Sequence, residues 1–376
     1  MTTDTRTTGS RLPALTWTTV VPPLAVIVLA LTWGRTFDGT VGAVVVTLVA
    51  VVLGAAVLAA VHHAEVVAHR VGEPFGSLVL AVAVTVIEVA LILTLMISGG
   101  PETQSLARDT VFAAVMITVN GIVGVSLLVG ALRHGIPAFN AEGTGGALAT
   151  VATLATLCLV VPTFTTSRPG PELSSGQLVF AAIASLTLYV AFVLTQTVRH
   201  RDFFLPVATD GSGTLDADVH ADPPTNRTAF VSLGLLLASL VAVVGLAKVE
   251  SPAIEKAVAG VGFPPSFVGV VIALLVLLPE TLAAVRAAQR ERIQISLNLA
   301  LGSAMASIGL TIPAIAVASI WLDGPLLLGL DPTQITLLAV TIVAAVLTVV
   351  PGRATRLQAA VHLVLLAAFL FLAVSP

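Results

Sequence analysis

The sequence is poor in charged residues. Only 10% of its 376 residues are Asp, Glu, Lys or Arg, whereas soluble domains carry about 25%. Hydrophobic residues make up 57% of the chain. Such a chain has too little polar surface to face water on all sides, so we expect an integral membrane protein in contact with the lipid bilayer. The net charge of only −3 gives no reason to expect a nucleic-acid partner.

Cysteine and the common signatures of enzymes are also scarce. The single cysteine, Cys158, excludes a disulfide within the chain. There is no nucleophile elbow, no P-loop and no dinucleotide-binding glycine pattern, so we expect neither an enzyme nor an ATP-driven pump, and no cofactor. The first apolar segment lacks a small-residue cleavage site, which predicts a retained first span rather than a signal peptide.

Long apolar runs are what the sequence does contain. A helix needs roughly 20 apolar residues to cross the hydrocarbon core of a bilayer. A strand barrel would instead show short alternating segments. Eleven stretches predict spanning helices, near residues 14–33, 39–61, 76–98, 110–131, 147–166, 177–198, 229–247, 265–285, 295–320, 333–350 and 357–375. The fold class predicted from them is an all-α integral membrane protein with eleven transmembrane helices.

Arginine and lysine predict the orientation of the chain. Most of the seventeen lie in cytoplasmic segments if the N-terminus is cytoplasmic and the C-terminus is external, as the positive-inside rule requires. A polar stretch rich in Gly, Pro and Asp occupies residues 199–228 and predicts a flexible, acidic cytoplasmic linker. The predicted organisation is an N-terminal tail and first helix (1–38), a first five-helix unit (39–198), the linker (199–228) and a second five-helix unit (229–376).

An internal repeat relates the two units. The segments AEVVAHRVGEP (64–74) and IEKAVAGVGFP (254–264) share Glu, Val, Gly and Pro at one constant spacing. Each unit has five predicted spans, and an odd number places the two units in opposite orientations, as in many secondary transporters. We therefore predict one extra N-terminal helix followed by two inverted five-helix repeats.

Two carboxylates stand within the apolar runs. Glu88, in VTVIEVALIL, is the only charge between residues 76 and 98. A charge at the bilayer centre costs about 2.5–3.5 kcal/mol on insertion scales, so such residues are usually functional. Glu280, in VLLPETLAA, lies on the matching span of the second repeat, and an inverted two-fold would bring both to the midplane. Pro279 is expected to bend or break its helix there and to free carbonyl groups.

Other residues are candidates to line the same site. They carry hydroxyl or amide groups. Thr85 lies one turn before Glu88 on the same span, and the next span of each unit carries the others: Thr118, Asn120, Ser303 and Ser307. Such oxygens suit hard cations. The alternative is that small polar residues only let helices pack closely and hydrogen-bond to one another.

A third set of charged residues lies near predicted span ends. Glu65, Glu73 and Glu255 are either solvated surface charges or gate residues. The stretch HHAEVVAH, with His62 and His63, is not an H-E-x-x-H motif, so we favour a pH-sensing surface patch over a transition-metal site.

These motifs resemble those of the cation/Ca²⁺ exchanger superfamily, specifically the bacterial calcium/proton antiporters and their enterobacterial-type subgroup. The resemblance rests on the entry segment around Glu65 and on two acidic positions, Glu88 in VTVIEV and Glu280 in FVGVVIALLVLLPE. GSAMASIGLTIP extends it along the next span. Thr85, Leu277 and Ala306 stand where relatives commonly have Asn, Asn and Gln.

The resemblance implies secondary antiport in the bacterial inner membrane. Glu88 and Glu280 would bind either protons or a shared Ca²⁺ ion, because burial disfavours a charged carboxylate and a nearby cation favours it. A Na⁺/H⁺ or K⁺/H⁺ antiporter using the same site is the alternative. An intramembrane hydrolase with Ser303 as nucleophile lacks a nearby histidine. A passive channel would need carboxylates that bind cations only weakly.

Overall fold

The computed structural model describes residues 16–35, 39–72, 75–99, 103–207, 223–321 and 324–375. Within these ranges the chain forms helices joined by short connections and no β-strand. The helices are α1 (Trp17–Thr32), α2 (Gly39–Val71), α3 (Phe75–Gly99), α4 (Leu106–Arg133), α5 (Ala141–Phe164), α6 (Ser175–Arg199), α7 (Asn226–Gly260), α8 (Phe267–Val276), α9 (Leu278–Gln289), α10 (Ile293–Ala318), α11 (Pro332–Val349) and α12 (Arg356–Val374).

The lengths of these helices make the chain a multi-pass membrane protein. In the described parts of the chain, nine helices are long and apolar enough to cross a bilayer, and the bent pair α8 and α9 would make a tenth span. Helix α1 has 16 residues. At 1.5 Å per residue it extends about 24 Å, less than the roughly 30 Å hydrocarbon core. The all-α membrane class is thus confirmed, and the count of eleven spans stays a prediction.

Two helices continue well past their predicted ends. Helix α2 extends to Val71 and α7 extends to Gly260, so the expected ends near residues 61 and 247 are wrong. The added segments are rich in helix-forming Ala, Glu and Lys, and a helix does not need an apolar surface once it leaves the hydrocarbon. Gly72 and Gly262, paired in the sequence repeat, follow the two helices with φ of +77° and +79°, a conformation that favours glycine.

The helices pack in two groups. Helix α2 lies along α7, with α1 and α3 against them, and their apolar side chains form one buried cluster. Helices α4, α5, α10 and α12 surround a second and larger cluster. Helix α4 packs on α12, and α10 packs on α6. These two contacts would exchange under the predicted repeat, whose layout stays a prediction.

The expected helix break is present at Pro279. The axes of α8 and α9 differ by 53°, and Leu277 lies between the two helices. Proline has no N–H, so the carbonyl of Leu275 has no helical donor four residues later. The break places Glu280 in the first turn of α9 instead of the middle of a straight span.

Candidate functional site

One cavity collects most of the predicted site. It has a volume of about 230 Å³ and lies between α3, α6, α9 and α10. The walls of α3 and α9 carry the two intramembrane carboxylates, and α10 carries hydroxyl groups. The predicted residues that line the cavity are Glu88, Glu280, Thr85, Ser303 and Ser307. Tertiary structure thus brings together predicted site residues that are up to 222 positions apart in the chain, from Thr85 to Ser307.

Glu88 is buried with its hydrogen-bonding capacity only partly used. Its side chain is 2% exposed. The hydroxyl of Ser307 donates a hydrogen bond of 3.0 Å to Oε2, whereas Oε1 has no hydrogen-bond partner. A buried carboxylate oxygen without a partner is costly, so the protein alone does not stabilise a negatively charged Glu88 fully. A bound proton or cation would supply the missing partner.

Glu280 faces the same cavity from a helix N-terminus. Its Oε2 is buried without a hydrogen-bond partner. The positive end of the α9 dipole favours a negative charge in the first helical turn, where Glu280 lies. Thr311 lies near Glu88, and its Oγ1 has no hydrogen-bond partner either. The cavity therefore combines two acidic groups with unused oxygen atoms.

This arrangement is suited to protons or hard cations. Carboxylate, hydroxyl and carbonyl oxygens are the ligands that Ca²⁺ and similar ions prefer. Among the described residues, no three His, Cys, Asp or Glu side chains come together as a ready-made metal cluster. An ion in the cavity would thus depend on two carboxylates supplemented by hydroxyl groups and water.

Two predicted residues on α4 do not reach the cavity. A π-helical segment, Ile117–Ile122, carries both. The hydroxyl of Thr118 donates to its own helix, to the carbonyl of Ala114 at 2.7 Å. Asn120 lies in a buried polar cluster instead, where its Nδ2 donates to Thr341 at 2.9 Å and its Oδ1 lies 3.2 Å from Nδ1 of His362. The Thr118 hydroxyl thus bonds within α4, whereas Asn120 joins α4 to α11 and α12.

The predicted gate acids lie on separate helices. Glu65 is exposed on α2, where Arg286 of α9 and His62 are near enough to interact with it electrostatically. Glu255, on α7, accepts a hydrogen bond of 3.0 Å from Ser251 and lines a different cavity. Neither lines the cavity of Glu88. The third candidate, Glu73, lies outside the described residues.

The two histidines do not form one surface patch. His62 is exposed, but His63 is buried, with Nε2 2.9 Å from the carbonyl of Thr18 in α1. The long helix α2 turns adjacent residues to different faces, so His63 joins α2 to α1.

Three cavity residues escape sequence reasoning: Tyr189, Gln196 and Asn298. A signal for Asn298 exists, because the cavity-lining positions of α10 recur at helical spacing from residue 295 to residue 307. Asn298 also donates a hydrogen bond of 2.7 Å to the carbonyl of Phe204, which joins α10 to the segment that follows α6. Tyr189 and Gln196 share the same kind of spacing on α6, where the lining positions are 189, 192, 193 and 196.

Sequence comparison finds similar proteins over nearly the whole chain. The model of the sodium/calcium exchanger protein family matches residues 39–198 and 231–375. The putative ionic transporter y4hA of Sinorhizobium fredii is 42% identical over 363 residues, 96% of each chain. The sodium-potassium/proton antiporter ChaA of Escherichia coli is 32% identical over 351 residues, covering 93% of this chain and 94% of ChaA. A Ca²⁺/H⁺ antiporter of Aphanothece halophytica is 24% identical over 326 residues, covering 83% and 86%.

Solved structures share the fold. Native YfkE superimposes with a TM-score of 0.68 at 16% identity, covering 96% of this chain and 99% of YfkE. The H⁺/Ca²⁺ exchanger CAX gives a TM-score of 0.68 at 15% identity, covering 94% and 86%. At such identities the likeness concerns the arrangement of helices.

Proposed function

Because the chain belongs to the sodium/calcium exchanger protein family, whose members are cation antiporters of the cation/Ca²⁺ exchanger superfamily, we propose that it exchanges cytoplasmic Ca²⁺ for external protons. The observation that carries the proposal is the single cavity lined by Glu88 and Glu280, with unpartnered carboxylate oxygens on both. Its proposed location is the bacterial inner membrane, with the N-terminus in the cytoplasm and the C-terminus outside.

Competition for the two carboxylates would couple the two ions. Two bare negative charges in one buried cavity repel each other and are poorly solvated. Either a cation or protons neutralise them, and each excludes the other. Apparent cation affinity should therefore fall as the pH falls, because protonation removes the charges that hold the cation.

Two helix ends at the cavity support entry of ions from the linker side of the membrane. Gln196 lies in the last turn of α6, and Ile295 lies in the first turn of α10. Both ends face the side where the chain runs from α6 to α7, which the Arg and Lys distribution predicts to be cytoplasmic. The conformation described here would thus be the one that loads cytoplasmic cations.

The proposal is tested by exchange measured ion by ion. Purified protein in proteoliposomes with an imposed pH gradient is supplied with Ca²⁺, Na⁺ or K⁺ separately, and proton movement is followed with a pH-sensitive dye. We expect Ca²⁺ to collapse the gradient at the lowest concentration. A gradient that responds to none of the three ions would contradict antiport altogether.

A Na⁺/H⁺ or K⁺/H⁺ antiporter is the second candidate, and two observations favour it. A relative with 32% identity is named a sodium-potassium/proton antiporter. Thr85 and Ala306 line the cavity where the family resemblance leads us to expect amide oxygens. Ca²⁺ takes six to eight oxygen ligands, so fewer protein ligands weigh against a divalent ion. Collapse of the pH gradient by Na⁺ or K⁺, together with no response to Ca²⁺, would establish this candidate.

The Ser307 hydroxyl is expected to favour the charged form of Glu88 and so to strengthen cation binding against protonation. In the Ser307→Ala variant the anion of Glu88 loses the hydrogen bond from Ser307, and such bonds to charged groups contribute about 1.5–3 kcal/mol. We expect half-saturating cation concentrations to rise about tenfold at constant pH, with the maximal rate largely retained. The control is Ser126→Ala, which removes a buried hydroxyl without a partner from outside the cavity. An equal effect of both variants would contradict this role.

A further inference from the structure

A second cavity lies between α4, α8, α11 and α12. It has a volume of about 280 Å³, and its lining includes Asp109 and Phe112 of α4, Val270 of α8, Gln334 of α11 and Phe369 of α12. None of its lining residues lines the cavity of Glu88. It lies at the membrane face opposite to the linker, because α4 and α8 begin there.

The predicted repeat relates the walls of the two cavities. Three walls of the cavity of Glu88, α3, α6 and α10, have their counterparts among the walls of the second cavity, which include α8, α12 and α4. The correspondence extends to residues on two of these walls. Tyr189, Phe192 and Val193 of α6 precede Phe369, Leu372 and Ala373 of α12 at one constant spacing along the chain. Two cavities related in this way are the two halves expected of an alternating-access pathway.

The second cavity is closed toward the middle of the membrane. Phe112 and Phe369 are buried and meet edge to face, with ring centroids 5.5 Å apart. Next to them α8 crosses α4 so closely that a Cβ atom on Gly269 would lie 2.8 Å from the backbone nitrogen of Thr110. The corresponding helices α3 and α10 also contact each other, through the hydrogen bond from Ser307 to Glu88, but both line the cavity of Glu88.

A buried carboxylate lines the second cavity and also the neighbouring cavity of Glu255. Asp109 is 4% exposed, forms an ion pair of 2.7 Å with Arg108 and accepts a hydrogen bond of 2.8 Å from Ser105. Asp331 lines the same cavity, but it is exposed and caps α11 through the backbone N–H of Gln334. Asp109 is therefore the acid placed to meet an ion that has already left bulk solvent, and Arg108 neutralises it while the passage is closed.

We propose that this second cavity is the external half of the ion pathway, closed here by Phe112 and Phe369, and that Asp109 is the carboxylate at which cations leave to and enter from the outside. The proposal rests on the proposed function. An arriving cation competes with Arg108 for Asp109, which releases the contact that Arg108 makes with the carbonyl of Gly329 at 3.1 Å. The external half would thus sense a cation before the helices separate.

Thiol labelling assigns the two cavities to sides of the membrane. In a Cys158→Ala background, which removes the single and buried cysteine, Leu337→Cys and Gln196→Cys each place one thiol in one cavity. We expect a membrane-impermeant maleimide to modify Leu337→Cys from the outside and Gln196→Cys from the cytoplasm. Modification of both from one side, or no modification of Leu337→Cys from outside, would overturn the proposal.

Asp109→Asn tests the role of the carboxylate. We expect the half-saturating concentration of the exchanged cation to rise about tenfold on the external side and to change less than twofold on the cytoplasmic side, in right-side-out and inverted vesicles. Asp331→Asn is the matched control, because it removes a charge from the same cavity and Asn still caps the helix. An equal change on both sides, or an equal effect of Asp331→Asn, would overturn the proposal. Absence of exchange by the unmodified protein would instead contradict the proposed function.

Discussion

Replacing Glu88 by Gln is expected to abolish proton-coupled cation exchange. Gln has nearly the same shape, but it cannot carry a negative charge or release a proton at any working pH. Removing one partner from a buried pair of opposite charges, here the carboxylate from the bound cation, typically costs about 3 kcal/mol or more, which is over a hundredfold in affinity. Pro279 and Ser307 remain in place in this variant, so the loss would report on the charge alone.

The measurement is cation uptake driven by a pH gradient in proteoliposomes. Glu280→Gln should have the same effect, since both carboxylates line one cavity. Glu172→Gln is the matched control, because Glu172 forms an i,i+4 ion pair with Arg168 away from the cavity and such exposed pairs contribute little. Each variant is first shown to elute as a single species in size-exclusion chromatography. If either cavity variant then retained exchange, the assignment of the site would be wrong.

Pro279→Ala is expected to lower cation affinity at least tenfold while raising thermal stability. Alanine restores the N–H that proline lacks and favours a continuous helix through Leu277. A straighter helix would move Glu280 away from the first turn of α9 and from the cavity. The break in the helix is thus expected to lower the stability of the protein while it positions Glu280 in the cavity, a trade-off that is common at functional sites.

The opposite signs of the two effects separate this variant from one that is simply damaged. Melting temperature and half-saturating cation concentration are measured on the same preparation. Pro332→Ala is the control, since Pro332 lies at the start of α11, where a missing N–H is harmless. If Pro279→Ala lowered both the melting temperature and the cation affinity, the helix break would be needed for the packing of the protein and would not be specific to the site.

Much of the site was accessible from the sequence because burial of charge is costly everywhere in a membrane. Glu88 and Glu280 stand out by that criterion alone, and the prediction that they meet is supported by the cavity that they share. The resemblance to the cation/Ca²⁺ exchanger superfamily, drawn from the same residues, is confirmed by the family match over residues 39–198 and 231–375. The division into repeats and the choice of cation stay predictions.

Residues without charge were harder to assign, because their roles depend on which way a helix turns. Thr118 and Ser303 are similar residues on matching helices, yet only Ser303 faces the cavity. The π-helical turn Ile117–Ile122 changes the register of α4, and no periodicity rule anticipates such a turn. Asp109 was overlooked because it lies at a span end, where an exposed charge is the usual expectation.

The sequence by itself determined the class of the protein, its family and its two intramembrane carboxylates, because hydropathy, helix length and the cost of buried charge act locally along the chain. Only the tertiary structure decided which polar side chains join them. It showed the 53° break before Glu280, the hydrogen bond from Ser307 to Glu88 and the two separate cavities. Those features depend on contacts between helices far apart in sequence, whose rotation and separation no local pattern records.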